Sequence, residues 1–255
     1  MTARARILPL LLAAAWLCSC CQKPGTGRPP AMVFAAASLT AAFRAMAAEF
    51  ERQHPGSKLD LHCAGTSQLV RQVREGAAAS VFASADLPSI EQLVAAAPTA
   101  ALPPAPPRTF ARNRLTIVTG NGNPKHILTL ADLGRQDVKV ALCGPQVPAG
   151  RYAREALAKA AVAVQSVSDE PDVKAVVSKV QLGEIDAGVV YVTDVAGAAP
   201  MVTAVTIPEQ HNVVTACAIA VLSGGNSQAT GAAFVAFVLS VDGQRILQSF
   251  GFEPP

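Results

Sequence analysis

The chain has 255 residues, with 21 Lys and Arg against 18 Asp and Glu, and a formal net charge of +3 that includes Arg4 and Arg6 near the N-terminus. So small an excess implies no strong nucleic-acid or membrane patch. From Ala31 onward the chain is rich in Ala, Val and Leu, enough for one large domain or two modest ones with real cores.

The first thirty residues differ from the rest. Met1 to Arg6 is basic, Ile7 to Leu17 is almost wholly apolar, and Ser19-Cys20-Cys21 follows. That order describes a secretory signal. The apolar stretch is too short for a membrane span, which needs about 20 residues. Leu17-Cys18-Ser19-Cys20 is similar to the bacterial lipobox, whose last cysteine receives diacylglycerol, so Cys20 is the expected lipid anchor. A plain secretory signal with incidental cysteines is the alternative. Gln22 to Pro30 contains two glycines and three prolines without apolar periodicity, as a flexible tether would. The expected location is therefore outside the cell, at the outer face of the cytoplasmic membrane. No second long apolar segment follows, as expected of a soluble body.

The body alternates short apolar runs with amphipathic helices. Met32 to Ala37 reads as a strand buried on both faces. Leu39, Ala42, Phe43, Met46, Ala47 and Phe50 then form one helical stripe, closed by His54-Pro55-Gly56. Lys58 to Cys63 is a second strand, Ser67 to Glu75 a second helix, and Val81 to Ala83 a third strand. Asp86 is placed to cap the helix that runs to about Ala96. This βαβα order predicts a parallel sheet with helices on both faces.

Pro103 to Pro107 interrupts the pattern. Arg114 to Thr119 is strand-like, Leu130 to Leu133 a short helical turn, and Val138 to Leu142 another strand. A helix from Ala149 to Ala160, a strand at Val162 to Val167 and a valine-striped helix with Val173, Val176, Val177 and Val180 follow. Strands at Ala187 to Tyr191, Met201 to Ile207 and Val213 to Leu222 precede two final helices, near Ser227 to Leu239 and Gly243 to Phe250. Two α/β units, with the chain crossing over and returning, suggest two lobes around a cleft. The expected division is a signal and tether at 1–30, lobe I at 31–110 plus 210–255, and lobe II at 111–209.

Catalytic patterns are missing. His54, His62, His126 and His211 are scattered, and Cys63, Cys143 and Cys217 match no metal-binding spacing. These cysteines permit at most one internal disulfide, and buried free thiols are the expectation. There is no G-x-S-x-G elbow, no P-loop and no G-x-G-x-x-G after a strand. What recurs is a junction where a buried strand ends and a helix begins on small or hydroxyl residues: Ser38, Gly65-Thr66-Ser67, Pro148-Ala149-Gly150 and Asp172-Val173. A helix's first turn offers unpaired N–H groups and a positive dipole end, which suits an anion. Taken singly, each of these residues is equally an ordinary cap.

In combination the motifs resemble a known family. Phe34-Ala35-Ala36-Ala37-Ser38-Leu39-Thr40, Ala64-Gly65-Thr66-Ser67 and Ala83-Ser84-Ala85-Asp86 occur in order. Val147 to Ala153, Asp172-Val173, Gly188 to Asp194 and Gly251-Phe252 continue the series. The whole is similar to the periplasmic molybdate-binding proteins, the substrate-binding components of molybdate ABC importers. The resemblance implies an α/β type II periplasmic-binding-protein fold, two lobes joined by two crossover segments around a ligand cleft. It implies no catalysis and no cofactor, with molybdate or tungstate as ligand and an importer permease as partner. The expected protein is a monomer that meets the membrane only through the lipid on Cys20, and its small net charge implies no nucleic-acid partner.

By the same resemblance, the Ser38 hydroxyl and backbone N–H, the Thr66 hydroxyl with Ser67 adjacent, the Ala149 and Val173 N–H groups and the Tyr191 hydroxyl would hold the oxyanion. Molybdenum would thus be bound as molybdate, with no protein atom ligating a bare cation. Thr66 stands where a serine is usual, and Ser80 where relatives commonly carry an aspartate.

None of these contacts is charged. Charge-assisted hydrogen bonds of ~1.5–3 kcal/mol each would offset the desolvation of a dianion. A site of donors would reject a ligand that keeps a proton, as phosphate partly does. Sulfate or another tetrahedral oxyanion remains an alternative ligand. An exported hydrolase using Ser38 as nucleophile would need a base, and no histidine lies within the matching motifs. A structural lipoprotein would bind no ligand.

Overall fold

The computed structural model describes residues 29–96 and 104–255. Cys20 and the expected signal peptide lie outside the described residues, as does the tether up to residue 28.

The first lobe is built on β1 (Ala31–Ala36), β2 (Leu59–Ala64) and β3 (Val81–Ser84), with β1 parallel to both others. Helices α1 (Thr40–Gln53), α2 (Thr66–Arg74) and α3 (Leu87–Ala96) follow these strands in turn. Alternation along β1 explains the layering. Val33 and Ala35 join the cluster that contains Phe43 and Phe50 of α1, whereas Phe34 joins Leu69 of α2 and Ile90 and Leu93 of α3 on the other side. The chain ends in this lobe with α7 (Gln228–Val238) and α8 (Val241–Ser249). Phe234 of α7 meets Phe43 and Phe50 edge-on, at centroid distances of 5.8 and 5.4 Å.

The second lobe contains β5 (Val140–Cys143), β6 (Ser166–Glu170), β7 (Ala187–Tyr191) and β8 (Val202–Thr206). Helices α4 (Pro148–Lys159), α5 (Val173–Gln181) and the short α6 (Val192–Ala196) accompany them. Here β5 is parallel to β6 and β7.

Two long strands connect the lobes. β4 (Arg108–Gly120) pairs with β9 (Val214–Val221) up to Arg114, and from Leu115 onward pairs with β7, with β8 joining from Thr116. The Asn212 side chain marks this switch: its Oδ1 accepts from Leu115 N at 3.0 Å and its Nδ2 donates to Leu115 O at 2.9 Å. The strand order is β2-β1-β3-β9-β4-β7-β5-β6, with β8 on β4.

The structure amends three expectations. The sheet is mixed, because β9 runs antiparallel to β3 and β4, and β7 and β8 antiparallel to β4. β4 starts earlier than its apolar pattern, since Arg108, Arg112 and Arg114 interrupt that pattern within the paired segment. β6 starts later than Val162. Ala161, at φ 55°, turns the chain back, and Val162 N donates to Leu157 O to close α4. The valines at 162 and 164 pack on the core from this connection instead.

Candidate functional site

Six strand-to-helix junctions converge where the lobes meet. Ser38, Gly65-Thr66 and Ala85 come from the first lobe, and Val147-Pro148-Ala149, Asp172-Val173 and Tyr191 from the second. Together they line one cavity with ≈ 220 Å³ of atom-free space, part of it open to solvent. Thus Ser38, Thr66, Ala149, Val173 and Tyr191, expected from sequence to share a ligand, all face a common space. Ser67 does not line it. The first turn of α2 directs its Oγ across the cleft instead, to donate to Gln146 O at 2.7 Å.

Local structure explains what each junction offers. Ser38 lies in a 3-10 turn, Ala37–Leu39, between β1 and α1. Pro148 occupies the first turn of α4, where the N–H it lacks would have had no helical partner. No side chain caps α4, so the Ala149 N–H, which has no intrahelical acceptor, belongs to the cavity wall. Gly150 lets this helix start against the end of β5. A Cβ there would lie 2.2 Å from the carbonyl oxygens of both Cys143 and Gly144.

At α5 the Asp172 carboxylate accepts from Lys174 N at 2.8 Å and Ala175 N at 3.0 Å. The cap uses the second and third amides and leaves the first, on Val173, beside the cavity. It also occupies Oδ1 of the one carboxylate in the lining. Thr66 Oγ1 accepts from Ala85 N at 3.4 Å, which leaves its own proton to donate.

Three buried hydroxyls among the described residues have no hydrogen-bond partner, Ser80 Oγ away from the cavity and two in its lining. The two in the lining are Ser38 Oγ and Tyr191 OH. Leaving such a group unpaired costs about 1–3 kcal/mol, so two facing one cavity indicate a polar guest. Burial pushes the Tyr191 hydroxyl well above its usual pKa, with the charges of Cys217, Asp86, Tyr152 and Asp194 adding to the effect. It therefore remains a donor.

Two further carboxylates near the cavity have cationic partners. Asp194, fully buried, accepts from Tyr191 N at 3.2 Å and lies 3.2 Å from Lys174 Nζ. Burial nevertheless raises its pKa, against the lowering effect of Lys174. Asp86 of the first lobe pairs with Arg151 of the second and accepts from Tyr152 OH at 3.0 Å. Sequence reasoning gave Asp86 a role as helix cap, which it has, with Ser89 N donating to its Oδ1 at 3.2 Å. It missed the pairing across the cleft, because 65 positions separate the two partners.

The remaining singled-out residues lie elsewhere. Ser80 is fully buried beneath Gly225, where a Cβ would lie 2.2 Å from Ser80 Oγ, so a larger aspartate has no room. His54 stacks on Phe50 and His62 packs against Phe34. Cys63, Cys143 and Cys217 are free thiols. Among the described residues, no group of three or more His, Cys, Asp and Glu is placed to hold a metal ion.

Residues 31–253 match the family described as bacterial extracellular solute-binding protein. This chain belongs to that family. The solute-binding protein is 40% identical over 232 residues to the molybdate-binding protein ModA of Mycobacterium tuberculosis, covering 91% of this chain and 87% of the relative. It is 29% identical over 167 residues to a putative ABC transporter substrate-binding lipoprotein, YvgL, of Bacillus subtilis, covering 64% and 62%. In fold it is similar to the periplasmic molybdate-binding protein of Azotobacter vinelandii, with a TM-score of 0.75 at 19% identity, covering 88% of this chain and 99% of the other. The two-lobed periplasmic-binding-protein fold is thereby established, and the family is one of solute carriers rather than enzymes.

Proposed function

We propose that this solute-binding protein captures molybdate, accepts tungstate as a near-equal in size, and delivers the oxyanion to an ABC importer permease. The observation that carries the reading is the pair of unpartnered hydroxyls, Ser38 and Tyr191, facing one cavity from opposite lobes. The Thr66 hydroxyl and the first-turn amides of α4 and α5 complete a donor set. In this reading Ser38, Thr66, Ala149, Val173 and Tyr191 bind the dianion, and Ser67 acts beside them by bridging the lobes.

A dianion held by neutral donors gains charge-assisted hydrogen bonds and favourable helix dipoles without a cation in contact. A protonated ligand would set donor against donor, which disfavours hydrogen phosphate. Sulfate fits the charge but is smaller than molybdate, so size must discriminate between them. The ligand enters between lobe I, 31–110 plus 210–255, and lobe II, 111–209. The change of pairing at Arg114 and Leu115 marks the crossover from lobe I to lobe II within β4, a few residues beyond that boundary. Cys20 carries the lipid that holds the monomer at the outer face of the membrane, and the kinship with a lipoprotein supports this assignment.

A thermal-shift and calorimetric screen of molybdate, tungstate, sulfate, phosphate and chromate tests the proposal. One-to-one binding of molybdate and tungstate, with sulfate and phosphate far weaker, is expected. Preference for sulfate, or no response to any oxyanion, would refute it.

A further inference from the structure

Asp86 divides its carboxylate between the lobes. Oδ1 serves its own lobe, accepting from Ser89 N at 3.2 Å and Ser84 Oγ at 3.4 Å. Oδ2 serves the other, accepting from Arg151 and, at 3.0 Å, from Tyr152 OH. Arg151 is held for this contact, its guanidinium carbon lying 5.1 Å from the Tyr152 ring centroid. Asp86 itself is completely buried, whereas the Arg151 side chain is 36% exposed.

We infer that Asp86, Arg151 and Tyr152 form a clasp that holds the lobes shut over the cavity and sets how slowly the bound oxyanion leaves. The positions favour this role over simple structural pairing. Asp86 directly follows Ala85, and Arg151 lies two residues beyond Ala149, both in the cavity wall. Moving the lobes apart breaks the Oδ2 contacts and opens the wall together. The contacts within lobe I, to Ser84 and Ser89, survive that motion, so the carboxylate stays positioned to re-form the clasp. Removing Arg151 leaves the fully buried Asp86 carboxylate without its cation, which favours opening toward water, and neutralising Asp86 removes the attraction that draws Arg151 across the cleft. These are positioning residues, since neither Asp86 nor Arg151 lines the cavity.

The inference rests on the proposed oxyanion binding, and its test separates the two. Protein loaded with radiolabelled molybdate is chased with unlabelled molybdate, comparing wild type with Arg151→Met and Asp86→Asn. Asparagine keeps the acceptor for Ser89 N, and methionine keeps an apolar stem. The clasp predicts release at least tenfold faster in both variants, with association rates little changed. A purely electrostatic role predicts opposite effects, because one variant removes a positive charge and the other a negative one. Opposite effects, or unchanged release in both, would overturn the clasp. Small-angle scattering of the ligand-free proteins gives a reading that needs no ligand. Larger radii of gyration in both variants support the clasp, and equal radii overturn it. If wild type fails to bind molybdate, the functional reading falls and the scattering alone decides the clasp.

Discussion

Gly65 and Pro171 approach each other backbone to backbone across the cleft, and a Cβ on Gly65 would lie 2.4 Å from the Pro171 carbonyl oxygen. Gly65 begins the β2–α2 junction and Pro171 precedes the cap of α5, so the contact lies at the rim of the cavity. The absence of a side chain at residue 65 sets how closely the lobes approach. Gly65→Ala is expected to hold them slightly apart at a cost of ~1–3 kcal/mol to closure, weakening molybdate binding about tenfold or more. Folding of each lobe should be spared. Calorimetry paired with thermal denaturation checks this, and a large fall in melting temperature at unchanged affinity would contradict it.

The unpaired hydroxyls predict a separation of binding from stability. Tyr191→Phe removes a buried donor that has no partner in the protein. Binding should weaken by about 10- to 100-fold, the loss of one charge-assisted hydrogen bond. Ligand-free stability should hold or rise, because an unsatisfied group is gone. Ser38→Ala should behave alike in calorimetry and urea titration.

Alkaline pH should destabilise the protein through its two tyrosines. Burial chiefly, with Asp86 second, pushes the Tyr152 hydroxyl up to about 12, and burial raises Tyr191 as well. A pKa raised on folding contributes stability that is complete below the unfolded value near 10 and lost as pH climbs through the folded value. Of the alkaline decline in the urea midpoint, the Tyr152 part should therefore fall between about pH 10 and 12, after the raised thiols begin to contribute. The decline should be shallower in Tyr191→Phe, and equal slopes would contradict the assignment.

The thiols should differ in reach. Cys143 and Cys217 are buried, and burial pushes both thiols up, Cys217 to about 12. Cys63 is half-buried and its thiol is raised, again by burial first. Alkylation read site by site by mass spectrometry should label Cys63 slowly and leave the other two unmodified until the protein is unfolded. Rapid labelling of Cys143 or Cys217 in the folded protein would contradict this packing.

Much of the site was legible because its chemistry sits on local signals. A buried strand that ends in Ser38, or in Gly65-Thr66, announces a helix start, and Pro148 before Ala149 and Gly150 does the same. Asp172 reads as a cap from its own position. What sequence concealed depends on distant partners. Ser67 looks like a second ligand hydroxyl beside Thr66, but its Oγ meets Gln146 O, 79 positions away. Asp86 looks complete as a cap, yet its second oxygen answers Arg151. The short α6 was hidden because Val192 continues the apolar run of β7, and only the Asp194 contact to Tyr191 N marks its start. The mixed character of the sheet was hidden because β9 returns from the far lobe, a relationship no local pattern encodes.

The most direct test is a crystal structure of the protein soaked in molybdate, with an anomalous difference map recorded at the molybdenum edge. One strong peak should stand between Ser38 Oγ and Tyr191 OH, within hydrogen-bonding reach of both through the oxyanion's oxygens. A peak elsewhere, or a peak in the cavity that leaves both hydroxyls unpaired, would contradict the account.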